Sequence, residues 1–215
     1  MSQQTPGGSS PTVRMPRSQR REQLLRHARD VFVESGYHSA SMDDIAERAG
    51  VSKPVLYQHF PGKLELYLDL LDEAIDQVRT LLVQALDRPL GGTALVRATV
   101  DAYFGFVTAE GGAFRLVFES DLTNEPESTN RVRKLHNDCA EAIASKLRQF
   151  TDLDGEEAQM AAIGIVGMAQ VSARAWFSLD ALPKERAVDV ISGLAWRGLR
   201  GFIPEDVLAA SGADD

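Results

Sequence analysis

The sequence predicts an all-α protein: an N-terminal three-helix unit of helix-turn-helix type, joined by a long helix to a C-terminal helical body. Three observations predict this. Apolar residues recur at three- and four-residue spacing along almost the whole chain. No segment shows the sustained apolar–polar alternation of a half-buried strand. Gly- or Pro-bearing breaks such as Gly111-Gly112, "TNEP", "DLDG" and "ALP" separate the periodic stretches.

Composition sets the outer bounds. The chain has 215 residues, 44% of them hydrophobic, enough for a sizeable core. Its single cysteine, Cys139, excludes an internal disulfide and fits a reducing, cytoplasmic setting. The opening residues carry no apolar signal-peptide region. The most apolar later run, "MAAIGIVGMAQVSARAW", is interrupted by Gln170 and Arg174, so no membrane span is expected. Net charge is −8, but it is unevenly placed. Residues 1–63 hold nine Lys or Arg against six Asp or Glu; residues 64–215 hold fourteen against twenty-five. A mildly basic front is joined to an acidic body, the order expected if the front meets a polyanion.

Residues 1–16, rich in Ser, Gly, Pro and Gln, are expected to be a disordered tail. The first helix starts near Ser18, carries Leu24, Ala28, Val31 and Phe32 inward, and stops at Gly36. Ser41 opens a second, short helix, with Asp44 at the third helical position as in a capping box. Gly50 ends it. Ser52 caps a third helix, "SKPVLYQHF", with Pro54 in its first turn. From Lys63 to about Leu86 a stripe of Leu64, Leu68, Leu71, Ile75, Val78, Leu82 and Leu86 makes one long helix. Further helices are expected over 93–109, 112–119, 126–150, 155–179 and 184–201, with a flexible tail over 205–215. Domain limits follow at 18–78 and 79–204.

The second and third helices, joined by a tight Gly-Val turn, have helix-turn-helix spacing. Ala46 is small where the helices cross, Gly50 can take a left-handed conformation, and Ile45, Val51 and Leu56 point to the first helix. The third helix keeps Lys53, Tyr57, Gln58 and His59 for an outer, polar face. Such a face suits the major groove of DNA, and Gln58 could read adenine there. An ordinary helical corner that binds another protein is the competing reading.

The continuous run "ARDVFVESGYHSASMDDIAERAGVSKPVLYQHFPGKLELYLDLLDEA" resembles the DNA-binding domain of the TetR (tetracycline-repressor) family. The resemblance implies an N-terminal DNA-binding domain and a variable C-terminal domain that binds a small molecule and forms a dimer. It also implies roles for single residues. Ser41 caps the second helix and touches phosphate; Ser52 and Lys53 begin the recognition helix; Tyr57 and His59 approach backbone or bases; Lys63 contacts phosphate. Pro54 lacks an N–H and cannot donate to phosphate.

The C-terminal body carries fewer signals. Phe104, Phe106, Phe114, Phe118, Met168, Trp176 and Phe177 are candidates to line an effector cavity or to form core. Gln170 and Arg174 interrupt an apolar helix and need partners: a ligand, a second subunit, Glu119 or Asp121. His136 lies near carboxylates, but no metal-ligand spacing accompanies it, so neither metal nor cofactor is expected. Gly164, Gly167, Gly193, Gly198 and Gly201 lie inside predicted helices and suit close helix approach, between subunits or within one. No nucleotide loop or catalytic triad pattern points to an enzyme. The sequence therefore predicts a cytoplasmic, dimeric, ligand-responsive regulator, a repressor released from double-stranded operator DNA by a small-molecule effector. The alternative is a helical protein-interaction module.

Overall fold

The computed structural model describes residues 15–109, 112–118, 122, 125–179 and 182–210. Among them there are ten helices and no strand. The tail over 1–16 lies outside the described residues apart from Met15 and Pro16, as do Glu119, Asp121 and residues 211–215.

α1 (Arg17–Ser39) buries Leu24, Leu25, Ala28, Val31 and Phe32, the stripe that sequence periodicity marks. Gly36 breaks it at φ 74°, and three more residues follow before Ala40 ends the element. α2 (Met42–Arg48) starts on a complete capping box. The Ser41 hydroxyl accepts from the Asp44 amide at 3.1 Å, and the Asp44 carboxylate accepts from the Ser41 amide at 3.0 Å. Gly50, at φ 64°, turns the chain so that the Val51 amide bonds the Ala46 carbonyl at 3.0 Å. α3 (Lys53–His59) then crosses α2.

α4 (Lys63–Leu86) belongs to both halves. Its buried residues, from Leu66 and Tyr67 to Ala85 and Leu86, run through most of its length. The ion pairs Arg21–Asp69 and Arg29–Glu73 tie it to α1. One contiguous core joins Leu24, Ile45, Leu56 and Phe60 to Tyr67, Phe104, Phe114 and Val188. The boundary expected at 78–79 therefore falls inside a helix whose apolar face continues across it.

The body is built from α5 (Gly92–Val107), α6 (Ala113–Phe118), α7 (Pro126–Leu147), α8 (Gly155–Leu179) and α9 (Lys184–Arg200). The short α6 hooks the body to the front. The Tyr67 hydroxyl donates to the Leu116 carbonyl at 2.8 Å, and Tyr67 meets Phe32 and Tyr37 edge-on. Gly112, at φ 63°, precedes α6; a Cβ there would stand 2.9 Å from both Val33 methyl groups. A second core, with Leu86, Ile143, Leu147, Ala162 and Leu199, fills the far end of the body. Residues 205–210, expected as tail, instead form α10 (Glu205–Ala210), because Val207 and Leu208 find an apolar surface to cover.

Candidate DNA interface and effector cavity

α3 has only two turns, so one side buries and the other is free. Leu56 and, just after the helix, Phe60 enter the core at 0% and 1% exposure. Lys53, Pro54, Tyr57 and Gln58 are exposed, and Tyr57 leaves 49% of its surface in water. The Ser52 hydroxyl makes no capping bond. Lys53 pairs with Asp43 on α2 at 2.6 Å; the carboxylate raises its pKa, but both side chains are 59% exposed. An exposed pair of this kind contributes little and exchanges readily for phosphate.

Two expected contacts are already engaged. The Ser41 hydroxyl is held by Asp44, whose carboxyl it draws below the ordinary range. Lys63 donates to the carbonyls of Tyr37 at 2.9 Å and Ala40 at 2.8 Å, and its ammonium stands 4.4 Å from the Tyr37 ring centre. The ammonium closes the open C-terminal end of α1, where helix carbonyls lack partners. A phosphate would have to displace these bonds.

His59 is half-buried, with an enclosed Nδ1 that has no hydrogen-bond partner among the described residues. Desolvation, then the charges of Arg17, Arg21 and Arg20, hold its pKa below the usual value. Arg17 and Arg20 form, with Ser52, Val55, Gln58 and His59, one groove beside α3. Sequence reasoning missed these two arginines. Their signal was the basic cluster at the start of α1, brought beside α3 only by the fold.

In the body, two cavities lie end to end along α5 and α7. The first, with a cavity volume of about 60 Å³, is walled by Val78, Leu81 and Leu82 of α4, Tyr103 and Phe106 of α5, His136 and Cys139 of α7, and Val166 and Gln170 of α8. The second, with a cavity volume of about 130 Å³, lies toward the start of α5 and the end of α7, with Trp196 of α9 and Val207 and Leu208 of α10 in its wall. Both share Thr99, Val100, Ile143 and Ile165. The α5 wall from Gly92 to Phe106 spans about 20 Å at the rise of an α-helix. Burial raises the Cys139 thiol to about 11 and lowers His136. Burial also raises Tyr103.

Of the residues expected to line an effector site, Phe106 and Gln170 stand in the wall of the first cavity. Phe104 is wholly buried core, with the Trp176 ring 5.3 Å away. Trp176 gives its indole N–H to the Leu182 carbonyl at 2.7 Å, outside both cavities. Phe114 is core and packs against Phe177. Met168 stands outside both walls, and Arg174 is exposed. The side chain of Phe118 lies outside the described residues. Helical spacing alone does not say which side of a helix meets core and which meets cavity. Among the described residues no group of three His, Cys, Asp or Glu side chains forms a metal site.

The family model for bacterial regulatory proteins of the tetR family matches residues 24–70, from α1 into α4. A curated relative, the HTH-type transcriptional activator FasR of Mycolicibacterium smegmatis, is 41% identical over 194 residues, 90% of this chain and 89% of that protein. A TetR-like transcriptional regulator from Rhodococcus sp. RHA1 superposes with a TM-score of 0.73 at 28% identity, covering 87% of this chain and all of the other. The Bacillus subtilis regulator FadR, solved in complex with stearoyl-CoA, has the same fold, with a TM-score of 0.69 at 17% identity over 82% of this chain and 98% of its own. The chain belongs to the TetR family of DNA-binding helix-turn-helix transcriptional regulators.

Proposed function

We propose that this regulator binds a two-fold operator as a homodimer and that a long, apolar acyl effector in the α4–α5–α7–α8 cavities changes its DNA affinity. The carrying observation is the pair of abutting cavities, whose walls are almost wholly apolar and include the middle and end of α4. Their arrangement suits an extended chain better than a compact molecule. FadR of Bacillus subtilis, with the same fold, binds stearoyl-CoA. The molecule acts in the cytoplasm, where acyl thioesters and chromosomal DNA meet.

DNA is read by the exposed face of α3, with Lys53, Tyr57 and Gln58 entering the major groove and Ser52 and the arginines of α1 at the backbone. Ser41 and Lys63 shape the α1–α2–α4 junction first and reach phosphate only by exchanging partners. Occupancy of the cavities shifts α4, and with it the separation of two recognition helices that must span about 34 Å. The sign of regulation is set by where the operator lies relative to the promoter, so the same device can repress or activate.

The dimer reading rests on α8 and α9. By length and composition α8 could cross a membrane, with only 17% of its most apolar window buried in the subunit. Met160, Ile163 and Val171 of α8 and Val190 and Leu194 of α9 are exposed by 48–70%. Close packing within the subunit does not hold Gly164, Gly167, Gly193 or Gly198: an added Cβ would meet nothing within 4 Å at any of them. An apolar face of this kind, studded with small residues, fits a second copy. Sedimentation of Leu194→Glu should show a monomer where the parent chain is a dimer.

The functional test is fluorescence anisotropy on an operator selected from random duplexes, with and without stearoyl-CoA. A shift in operator affinity supports the reading; tight stearoyl-CoA binding without any shift contradicts it.

A further inference from the structure

Along α7 the cavities are lined by Leu135, His136, Cys139, Ile143, Lys146 and Leu147, with Phe150 just beyond the helix end. The spacing is that of a single helix face; apart from the thiol and His136, whose pKa burial holds below its ordinary value, every other member is apolar. A lysine at such a position requires an explanation. Lys146 is half-buried and its ammonium stands 5.5 Å from the centre of the Phe150 ring, which lines the same cavity. Among the described residues it forms no ion pair, while the neighbouring Arg148 is taken by Glu141 at 3.1 Å. Among the described residues no other lysine, arginine or carboxylate lines either cavity. A lysine in the last turn of a helix also suits the helix dipole, but that role is served from solvent and needs no stem in a cavity wall.

We infer that Lys146 marks the polar end of the effector site, where it binds an anionic head group whose apolar chain runs inward through the two cavities. The inference rests on the acyl-chain reading above and fixes the chain's direction. The head group lies where α7 ends and α10 covers the cavity, and the far end of the chain points to Val78 and Leu81 of α4. The anion is a carboxylate directly on the chain or a phosphate beyond a thioester spacer. Both offer what an unpaired ammonium beside an apolar wall recognises.

The test is equilibrium dialysis of the full chain with labelled tetradecanoate, tetradecanoyl-CoA and tetradecanol. Lys146→Met should weaken at least one charged ligand by roughly tenfold, the worth of a charge-assisted hydrogen bond, and leave tetradecanol unchanged. Lys146→Arg should keep the affinity. Loss with tetradecanoate assigns the carboxylate; loss with the thioester alone assigns the phosphate. The inference is overturned if Lys146→Met binds both charged ligands as tightly as the parent, or loses tetradecanol equally. If none of the three binds the parent protein, the acyl-chain reading itself fails and this inference falls with it. Melting temperature checks that the variants fold.

Discussion

Lys63→Met separates two roles that the same residue is given by resemblance and by geometry. The substitution keeps an apolar stem and removes the ammonium. That ammonium makes two short bonds, to the Tyr37 and Ala40 carbonyls, and a close approach to the Tyr37 ring. Hydrogen bonds to a charged group are worth about 1.5–3 kcal/mol, and a partly exposed cation–π contact adds about 0.5–1 kcal/mol. Lys63 is only half-buried and water can reach the freed carbonyls, so the lower end applies: about 2 kcal/mol. For a chain of this size that lowers the melting temperature by roughly 4–8 °C. Calorimetry measures it. The companion assay is the salt dependence of operator binding. A residue spent on the α1 end leaves the slope of log K against log salt unchanged, whereas a lost phosphate contact reduces it by about one. A variant that melts like its parent and loses a unit of slope would refute the structural assignment of Lys63.

Gln58 is exposed on α3. Gln58→Ala should cost about 1–3 kcal/mol on the operator, nothing on random DNA, and no salt slope, read by anisotropy. The buried Cys139 thiol, with its pKa raised to about 11, should react with Ellman's reagent only as the protein unfolds. A cavity ligand should slow that reaction further. His136 is held below its ordinary pKa by burial, so the unfolded chain takes up its proton first as pH falls. Stability is then present above about pH 6.5 and lost below it, and His136→Gln should flatten the fall in melting temperature between about pH 7 and 5.5. Thr99 walls both cavities, so Thr99→Trp should abolish effector binding in dialysis while leaving DNA affinity intact.

The front of the chain was legible because its geometry depends on local chemistry. The Ser41–Asp44 capping box, the positive φ of Gly50 and the buried Leu56 are each specified within a few residues. The span Lys63–Leu86 was legible for the same reason, as one unbroken apolar stripe. The body was not. Trp176 and Phe104 have the composition of a cavity wall, yet they pack on each other. Val207 and Leu208 sit in a stretch that is short and polar at both ends, and only the second cavity gives them a reason to be helical. Lys63 shows a third case: resemblance supplies a partner, phosphate, while the chain supplies its own carbonyls. Lys146 was visible in principle, as a charge on an apolar stripe, but the stripe's far side must be seen before the charge acquires a function.

Ligand control of DNA binding requires that the cavity and α3 be energetically coupled through α4. Its most direct test is reciprocity, which thermodynamic linkage demands of any such coupling. The stearoyl-CoA affinity of the free protein and of the operator-bound protein should be measured beside the operator affinity with and without saturating stearoyl-CoA. The two ratios should be equal and differ clearly from one, by about five-fold or more. Equal stearoyl-CoA affinity in the free and DNA-bound protein would contradict the coupling.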